Sequence, residues 1–170
     1  MFSVLLLCFL LASCGAEKEK TIQERAEAGD AEAPPIEDSK TMVRKILCLH
    51  GGGGDAKKFQ FDSGITDLKN ALGNGYEFVF AQAEDGGLWM RDPPGGKSRP
   101  TTDPDWASKS INILNEIVAA QGPFYGILGY SQGAAFIPVY LAQIPEGTFQ
   151  IAVMFGGYLP TTRQGLISKI

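Results

Sequence analysis

The sequence predicts an α/β protein with a mostly parallel sheet and helices on both faces of that sheet. Four apolar, strand-like runs alternate with stretches of helical periodicity, which is the pattern of strands joined by helical crossovers. The chain has 170 residues, of which 44% are apolar, and this length and composition are typical of one globular domain. We therefore expect one folded domain, assigned to residues 42–170.

The predicted elements follow one another in strand–helix order. The strands are predicted at residues 43–49, 76–81, 124–130 and 149–155, and the helices at residues 56–72, 106–120 and 132–143. Asp55 is the expected N-cap of the first helix, and Gly64 weakens its middle, so that two helical pieces are expected there. Residues 85–103 are rich in Gly and Pro and predict an irregular loop after the second strand.

The first 41 residues differ in composition from the rest of the chain. Residues 1–16 resemble a secretory signal peptide, because a short apolar core is followed by small residues, although no Lys or Arg precedes that core. The core is too short for a stable membrane span, and the alternative is a lipoprotein box that would place a lipid anchor on Cys14. Residues 17–41 are charged and contain Pro34, which predicts a linker. We expect a secretory or extracellular location, and a cytoplasmic one if the leader is not functional.

The charge balance and the cysteines exclude several classes of function. The net charge is −4, from 15 basic and 19 acidic residues, and no basic patch is present, so no nucleic-acid partner is expected. Two of the three cysteines, Cys8 and Cys14, lie in the leader, and Cys48 lies in the first predicted strand as a small core residue. Their spacing supports neither a disulfide framework nor a metal site.

A Gly-x-Ser-x-Gly motif, Gly129-Tyr130-Ser131-Gln132-Gly133, lies between the third predicted strand and the helix that follows it. This placement is typical of a nucleophile elbow, in which a strained turn exposes the serine hydroxyl and glycines remove Cβ atoms that would clash. The following helix directs free N–H groups and the positive end of its dipole at the site. We predict that Ser131 is a nucleophile, and a plain glycine-rich turn is the alternative.

A second motif, His50 followed by four glycines at residues 51–54, comes directly after the first predicted strand. Such a loop leaves main-chain N–H groups bare, and these can stabilise the oxyanion that forms when a hydroxyl attacks an acyl carbon. The predicted oxyanion donors are the N–H groups of Gln132 and of Gly52 (or Gly51). A phosphate-binding loop is one alternative, but the Gly-Lys-Ser/Thr ending is missing. A purely structural loop is the other.

Three residues are candidates for substrate contact. Gly51 and Tyr130 adjoin the predicted oxyanion donors and the predicted nucleophile. Trp89 lies in the long loop after the second strand, and loops at that end of a parallel strand lie near the site. Trp89 is therefore predicted to line an acyl pocket, and local packing within the loop is the alternative.

Together, residues 49–51, 122–134 and 155–158 resemble the FSH serine hydrolases, a branch of the α/β-hydrolase superfamily. The resemblance covers most of residues 43–158. It implies the N-terminal part of an α/β-hydrolase fold and the hydrolysis of a carboxylic ester or thioester, a small-molecule substrate, through an acyl-enzyme on Ser131. It also implies that no metal or organic cofactor takes part.

One departure from that family concerns the other two members of its catalytic triad. The family supplies an Asp and then a His from loops after two further strands, whereas this sequence holds one histidine, His50, in the glycine loop. We therefore expect a C-terminally truncated hydrolase with at most residual activity, since a serine without a base is a weak nucleophile. A non-catalytic binding protein of the same fold is the alternative, and a nucleotide-binding protein that uses residues 51–54 is a third hypothesis.

Overall fold

The structure of the chain, a computed structural model, describes residues 43–84, 86–91 and 106–160. Within them, the strands are β1 (Arg44–Leu49), β2 (Tyr76–Ala81), β3 (Gly126–Tyr130) and β4 (Ile151–Phe155). The α-helices are α1 (Ala56–Phe59), α2 (Ser63–Leu72), α3 (Ser108–Gln121) and α4 (Gln132–Leu141). The predicted signal peptide (1–16) and linker (17–41) lie outside the described residues, as does most of the predicted loop at 85–103.

These strands form one parallel sheet in the order β2-β1-β3-β4. Leu49, at the end of β1, pairs with Ala81 of β2 and with Gly129 of β3, so the carboxyl ends of these strands lie side by side. The segments that follow the strands therefore leave the sheet at one edge, where open parallel sheets place their ligand sites. The α/β architecture predicted from the sequence is confirmed.

Helices cover both faces of the sheet, as predicted. Successive side chains of a strand point to opposite faces, so β1 supplies two sets of core residues. Ile46 and Cys48 pack in one core cluster with Ile65 of α2. Leu47 packs in the other cluster with Leu114 of α3 and with residues of α4. None of the helices within the described ranges has the length and apolar character needed to cross a membrane.

The first predicted helix consists of two helices, as expected from its weak middle. Asp55 caps α1 by accepting a hydrogen bond from the N–H of Lys58 at 2.9 Å, which confirms the predicted cap. Asp62 caps α2 in the same way, from the N–H of Gly64 at 3.0 Å. The break between α1 and α2 therefore lies before Gly64. It is produced by the N-cap Asp62, which starts α2, and not by the glycine.

Cys48 is the small core residue that the sequence predicts. Its side chain is fully buried in β1, and its thiol is free. Burial raises the pKa of Cys48 to about 12, because the thiolate would lose its hydration in the core. The thiol is therefore protonated at neutral pH and is a packing group instead of a nucleophile.

Strand β4 is an outer strand of the sheet as far as the structure describes the chain. It pairs with β3, and its side chains Met154 and Phe155 are 51% and 48% exposed. Its last residue also contributes to the predicted active-site turn, because the Phe155 carbonyl accepts a hydrogen bond from the N–H of Ser131 at 2.8 Å. The end of β4 thus helps to hold the turn that follows β3.

Replacing Leu114 by alanine should destabilise the fold, because its side chain is completely buried between α3 and the sheet. We expect Leu114→Ala to lower the free energy of unfolding by about 2–5 kcal/mol. The control is Phe61→Ala, at a side chain that is 77% exposed. The control should change that free energy by no more than about 0.5 kcal/mol. Urea denaturation followed by circular dichroism measures both, and equal losses would contradict the assignment of the core.

Candidate active site

Ser131 lies in a strained turn between β3 and α4, as the sequence predicts. Its backbone has φ +51° and ψ −114°. Among the non-glycine residues that the structure describes, Ser131 alone has a positive φ. L-residues rarely adopt this conformation, which costs about 1–3 kcal/mol and occurs mostly at functional sites. The surrounding structure therefore maintains the turn against an unfavourable local preference.

The glycines of the motif allow the backbone of helix α4 to pack directly against the backbone at the end of β1. A Cβ atom on Gly133 would lie 2.6 Å from the carbonyl oxygens of both Leu49 and His50. A Cβ atom on Gly129 would lie 2.6 Å from the backbone nitrogen of Ala134. Both positions are closer than real Cβ contacts, so side chains there would push the helix away from the sheet. These two glycines place Ser131 beside the loop that follows β1.

The glycine loop, residues 51–54, is a tight turn next to Ser131. The N–H of Gly54 donates to the carbonyl of Gly51 at 2.9 Å, and the N–H of Gly53 donates to the carbonyl of Gly87 at 2.9 Å. A Cβ atom built on Gly51 would lie 3.5 Å from the Cβ of Ser131. Gly51 therefore lies close to the predicted nucleophile, at a distance that one methyl group would fill.

Gly52 lies against Gln132, and both residues keep a main-chain donor available. A Cβ atom on Gly52 would lie 3.0–3.1 Å from three atoms of the Gln132 side chain. No hydrogen bond from the N–H of Gly52 is found within the described residues. Gln132 is the first residue of α4, where helix geometry provides no intrahelical acceptor for the N–H. The structure thus brings Ser131, Gly52 and Gln132 together, and their catalytic roles remain predictions.

His50 has both ring nitrogens engaged in the scaffold around the loop. Nε2 lies 3.2 Å from the backbone N–H of Ala83, which can only donate, so Nε2 is the unprotonated acceptor. The proton is then on Nδ1, which donates to the carbonyl of Gly51 at 2.8 Å. The ring is 1% exposed. His50 is therefore a structural histidine and not a base for Ser131.

The side chain of Gln132 is a feature that the sequence interpretation missed, since it considered only the backbone N–H of this residue. The side chain is 5% exposed. Its Oε1 accepts from the N–H of Trp89 at 2.9 Å, and its Nε2 donates to the carbonyl of Met90 at 2.9 Å. The available signal was a glutamine at the start of a helix whose other residues are apolar or small. A buried amide needs partners, so such a residue indicates a polar contact.

Trp89 is buried in the core beside the glycine loop, and its predicted contact with an acyl group remains a prediction. Its side chain is 1% exposed and stacks on Phe136 of α4 at 5.9 Å between ring centroids. Its indole Nε1 donates to the carbonyl of His50 at 2.7 Å. The ring is held in the core by apolar packing and by a satisfied hydrogen bond, so the alternative of local packing is the one that its burial supports.

Tyr130 forms part of the surface next to Ser131. Its side chain is 52% exposed, and it stacks on Phe59 of α1 at 6.4 Å. Its ring also covers the glycine loop, because a Cβ atom on Gly51 would lie 3.3 Å from Tyr130 Cδ1. An exposed aromatic ring beside the predicted nucleophile is suited to contact a substrate, and that contact remains a prediction.

Two features outside the turn concern other kinds of site in the described part of the chain. No group of three or more His, Cys, Asp or Glu side chains there could hold a metal ion. A surface depression of about 610 Å³ lies between α2 and β2, and it is lined by Lys69, Asn70, Gly73, Asn74, Tyr76 and Phe78. None of these residues belongs to the turn or to the loops around Ser131, so the depression is separate from the candidate active site.

Comparison with known proteins finds a family and relatives for this chain. The family model described as "Serine hydrolase (FSH1)" matches residues 88–166, a range that contains Ser131 and Gln132. Esterase FPY3 from Fusarium mangiferae is 32% identical over 137 residues, which cover 72% of this chain and 61% of that protein. The chain belongs to the FSH serine hydrolase family. Esterase alnB from Emericella nidulans is 34% identical over 106 residues, 58% of this chain and 36% of that protein. The chain thus spans less than two thirds of these relatives.

Adding a methyl group at Gly133 should destabilise this FSH-family fold, because the new Cβ would meet two carbonyl oxygens at 2.6 Å. We expect Gly133→Ala to lower the free energy of unfolding by about 1–3 kcal/mol. Gly75→Ala is the matched control, since a Cβ atom there meets nothing within 4 Å. The control should change that free energy by no more than about 0.5 kcal/mol. Urea denaturation measures the difference, and two equally stable variants would contradict the close approach of α4 to β1.

Proposed function

We propose that this chain carries the nucleophile and the oxyanion hole of a serine esterase that acts on carboxylic esters or thioesters of small molecules. The observation that carries the proposal is the strained turn at Ser131, beside the available main-chain N–H groups of Gly52 and Gln132. The family supports a hydrolase, and the relatives compared above are named esterases. Their names specify no acyl group or leaving group, so the substrate class is proposed from the chemistry of the site.

In the proposed reaction, Ser131 Oγ attacks the carbonyl carbon of the substrate while its proton passes to a base. The carbonyl oxygen becomes negative, and the N–H groups of Gly52 and Gln132 donate to it. Preorganised donors of this kind each contribute a factor of roughly 10²–10³ to the rate of acyl transfer. Collapse of the tetrahedral intermediate expels the alcohol or thiol, which takes up the proton, and leaves an acyl group on Ser131. Water then cleaves this acyl-enzyme and regenerates the serine.

The described residues do not include a histidine that could act as the base for Ser131. His50 is the one histidine of the sequence, and both of its ring nitrogens are already engaged with Ala83 and Gly51. The esterase proposal therefore places the base outside the described residues. The same observation favours a second candidate function, a non-catalytic binding protein that keeps the site without the chemistry.

A fluorophosphonate probe distinguishes these two functions, because it phosphorylates an activated serine and forms a stable adduct. On the esterase proposal, the full-length protein, which includes the segment that supplies the base, is labelled, and the modified peptide contains Ser131. Ser131→Ala should abolish labelling. Ser63→Ala is the matched control, since Ser63 is an exposed serine that begins helix α2, and this variant should be labelled like the wild type. Absence of labelling in a chain shown to be folded by circular dichroism would favour the binding protein.

We also propose that residues 1–16 direct export, because their apolar core and small-residue end have the character of a signal peptide. A reporter fused after Ala16 should leave the cytosol. Replacing Leu6 by Arg within the apolar core should retain it there, since a charge in that core opposes insertion. Fractionation of the expressing cells measures the outcome, and a wild-type fusion that stays in the cytosol would contradict export.

A further inference from the structure

The two proposed oxyanion donors lie on segments that are far apart in the sequence. Gly52 follows β1, and Gln132 follows β3. Donors act on an oxyanion only if both lie 2.7–3.1 Å from the position that the negative oxygen will occupy. Because surface loops are the mobile parts of a domain, some contact has to fix the distance between these two segments.

The Gln132 side chain makes such a contact with a third segment, the one that follows β2. Its amide accepts from Trp89 N–H and donates to the Met90 carbonyl, and all three residues are at most 5% exposed. Two hydrogen bonds to adjacent residues fix both the position and the orientation of this segment. They also hold the side chain itself against Gly52, at the close approach that the absence of a Cβ atom on Gly52 allows.

The segment after β2 is in turn bonded to the glycine loop. Trp89 Nε1 donates to the carbonyl of His50, and the N–H of Gly53 donates to the carbonyl of Gly87. His50 completes the connection, since its ring accepts from Ala83 N–H at the end of β2 and donates to the Gly51 carbonyl. The hydrogen bonds thus form a continuous chain that runs from Gln132 through the segment after β2 to the glycine loop.

We infer that the Gln132 side chain is a positioning residue, which holds the glycine loop and the start of α4 at the separation that an oxyanion requires. This inference rests on the proposed function, because it assigns a catalytic purpose to the contact. The chemistry needs a primary amide: one end must accept from an N–H and the other must donate to a carbonyl. Methionine has a similar length and does neither, and asparagine is one methylene shorter and cannot span both partners.

The test uses the full-length protein, with the segment that supplies the base, and an alkyl fluorophosphonate. The inactivation rate constant and the inhibitor dissociation constant are measured separately. Gln132→Met keeps the backbone N–H of residue 132. We expect the rate constant to fall by roughly 10- to 100-fold while the dissociation constant stays the same, because misplaced donors weaken the transition state and not the binding of the probe. If this variant does not fold, Gln132→Asn replaces it, with the same expectation.

Two controls separate positioning from general loss of stability. Gln143→Met makes the same substitution near the other end of α4, where the Gln143 amide donates to the Val139 carbonyl at 2.7 Å, and its rate constant should equal that of the wild type. Leu114→Ala lowers stability by removing apolar packing and leaves the hydrogen bonds of Gln132 and His50 in place. If its rate constant falls as much as that of Gln132→Met at matched stability, the effect is one of folding and the inference is overturned.

Hydrogen exchange of the Gly53 and Gly54 amides gives a second readout that does not depend on catalysis. Neither amide bonds to Gln132, so faster exchange in Gln132→Met than in Leu114→Ala would show that the side chain holds the loop; equal exchange would overturn the inference. A folded wild type that is not labelled contradicts the proposed function, and exchange then still decides whether Gln132 positions the loop. A labelled wild type with an unchanged rate constant in Gln132→Met overturns the inference alone.

Discussion

The close contact between the start of helix α4 and the end of strand β1 is the constraint on which the site depends. Gly133 lies against the carbonyls of Leu49 and His50, where a side chain cannot fit. This contact brings the turn after β3 next to the loop after β1. Ser131 is then beside Gly51, and Gln132 is against Gly52. Backbone packing thus brings the two segments together, and the hydrogen bonds of the Gln132 side chain add to that constraint.

His50 and Gln132 are buried polar residues behind the site, and the side chains of both have hydrogen-bond partners. His50 and Gln132 sit in a region that is otherwise apolar, and an unsatisfied amide or imidazole there would be costly. The hydrogen bonds to Ala83, Trp89 and Met90 remove that cost and connect the segments after β1, β2 and β3. A network that is fully satisfied favours one arrangement of the loops over alternatives, because every shift breaks several bonds together.

The order of strands and helices, the turn at Ser131 and the glycine loop could be predicted because each is encoded in a short stretch of sequence. Apolar runs with intervening helical periodicity define the elements, and glycines mark the two places where backbones must approach. The packing partners of Trp89 could not be predicted in this way, since Phe136 and His50 are distant from it in the chain. The bonds of the Gln132 side chain were missed for the same reason, because its partners belong to another strand's loop.

The backbone conformation of Ser131 opposes the stability of the fold to the presence of a hydroxyl at this position. A serine at φ +51° holds the chain in a shape that glycine would accept at no steric cost. An exchange to glycine would relax the turn and remove the hydroxyl in one step. Selection for stability alone would therefore favour glycine at this position and would remove the hydroxyl together with the strain.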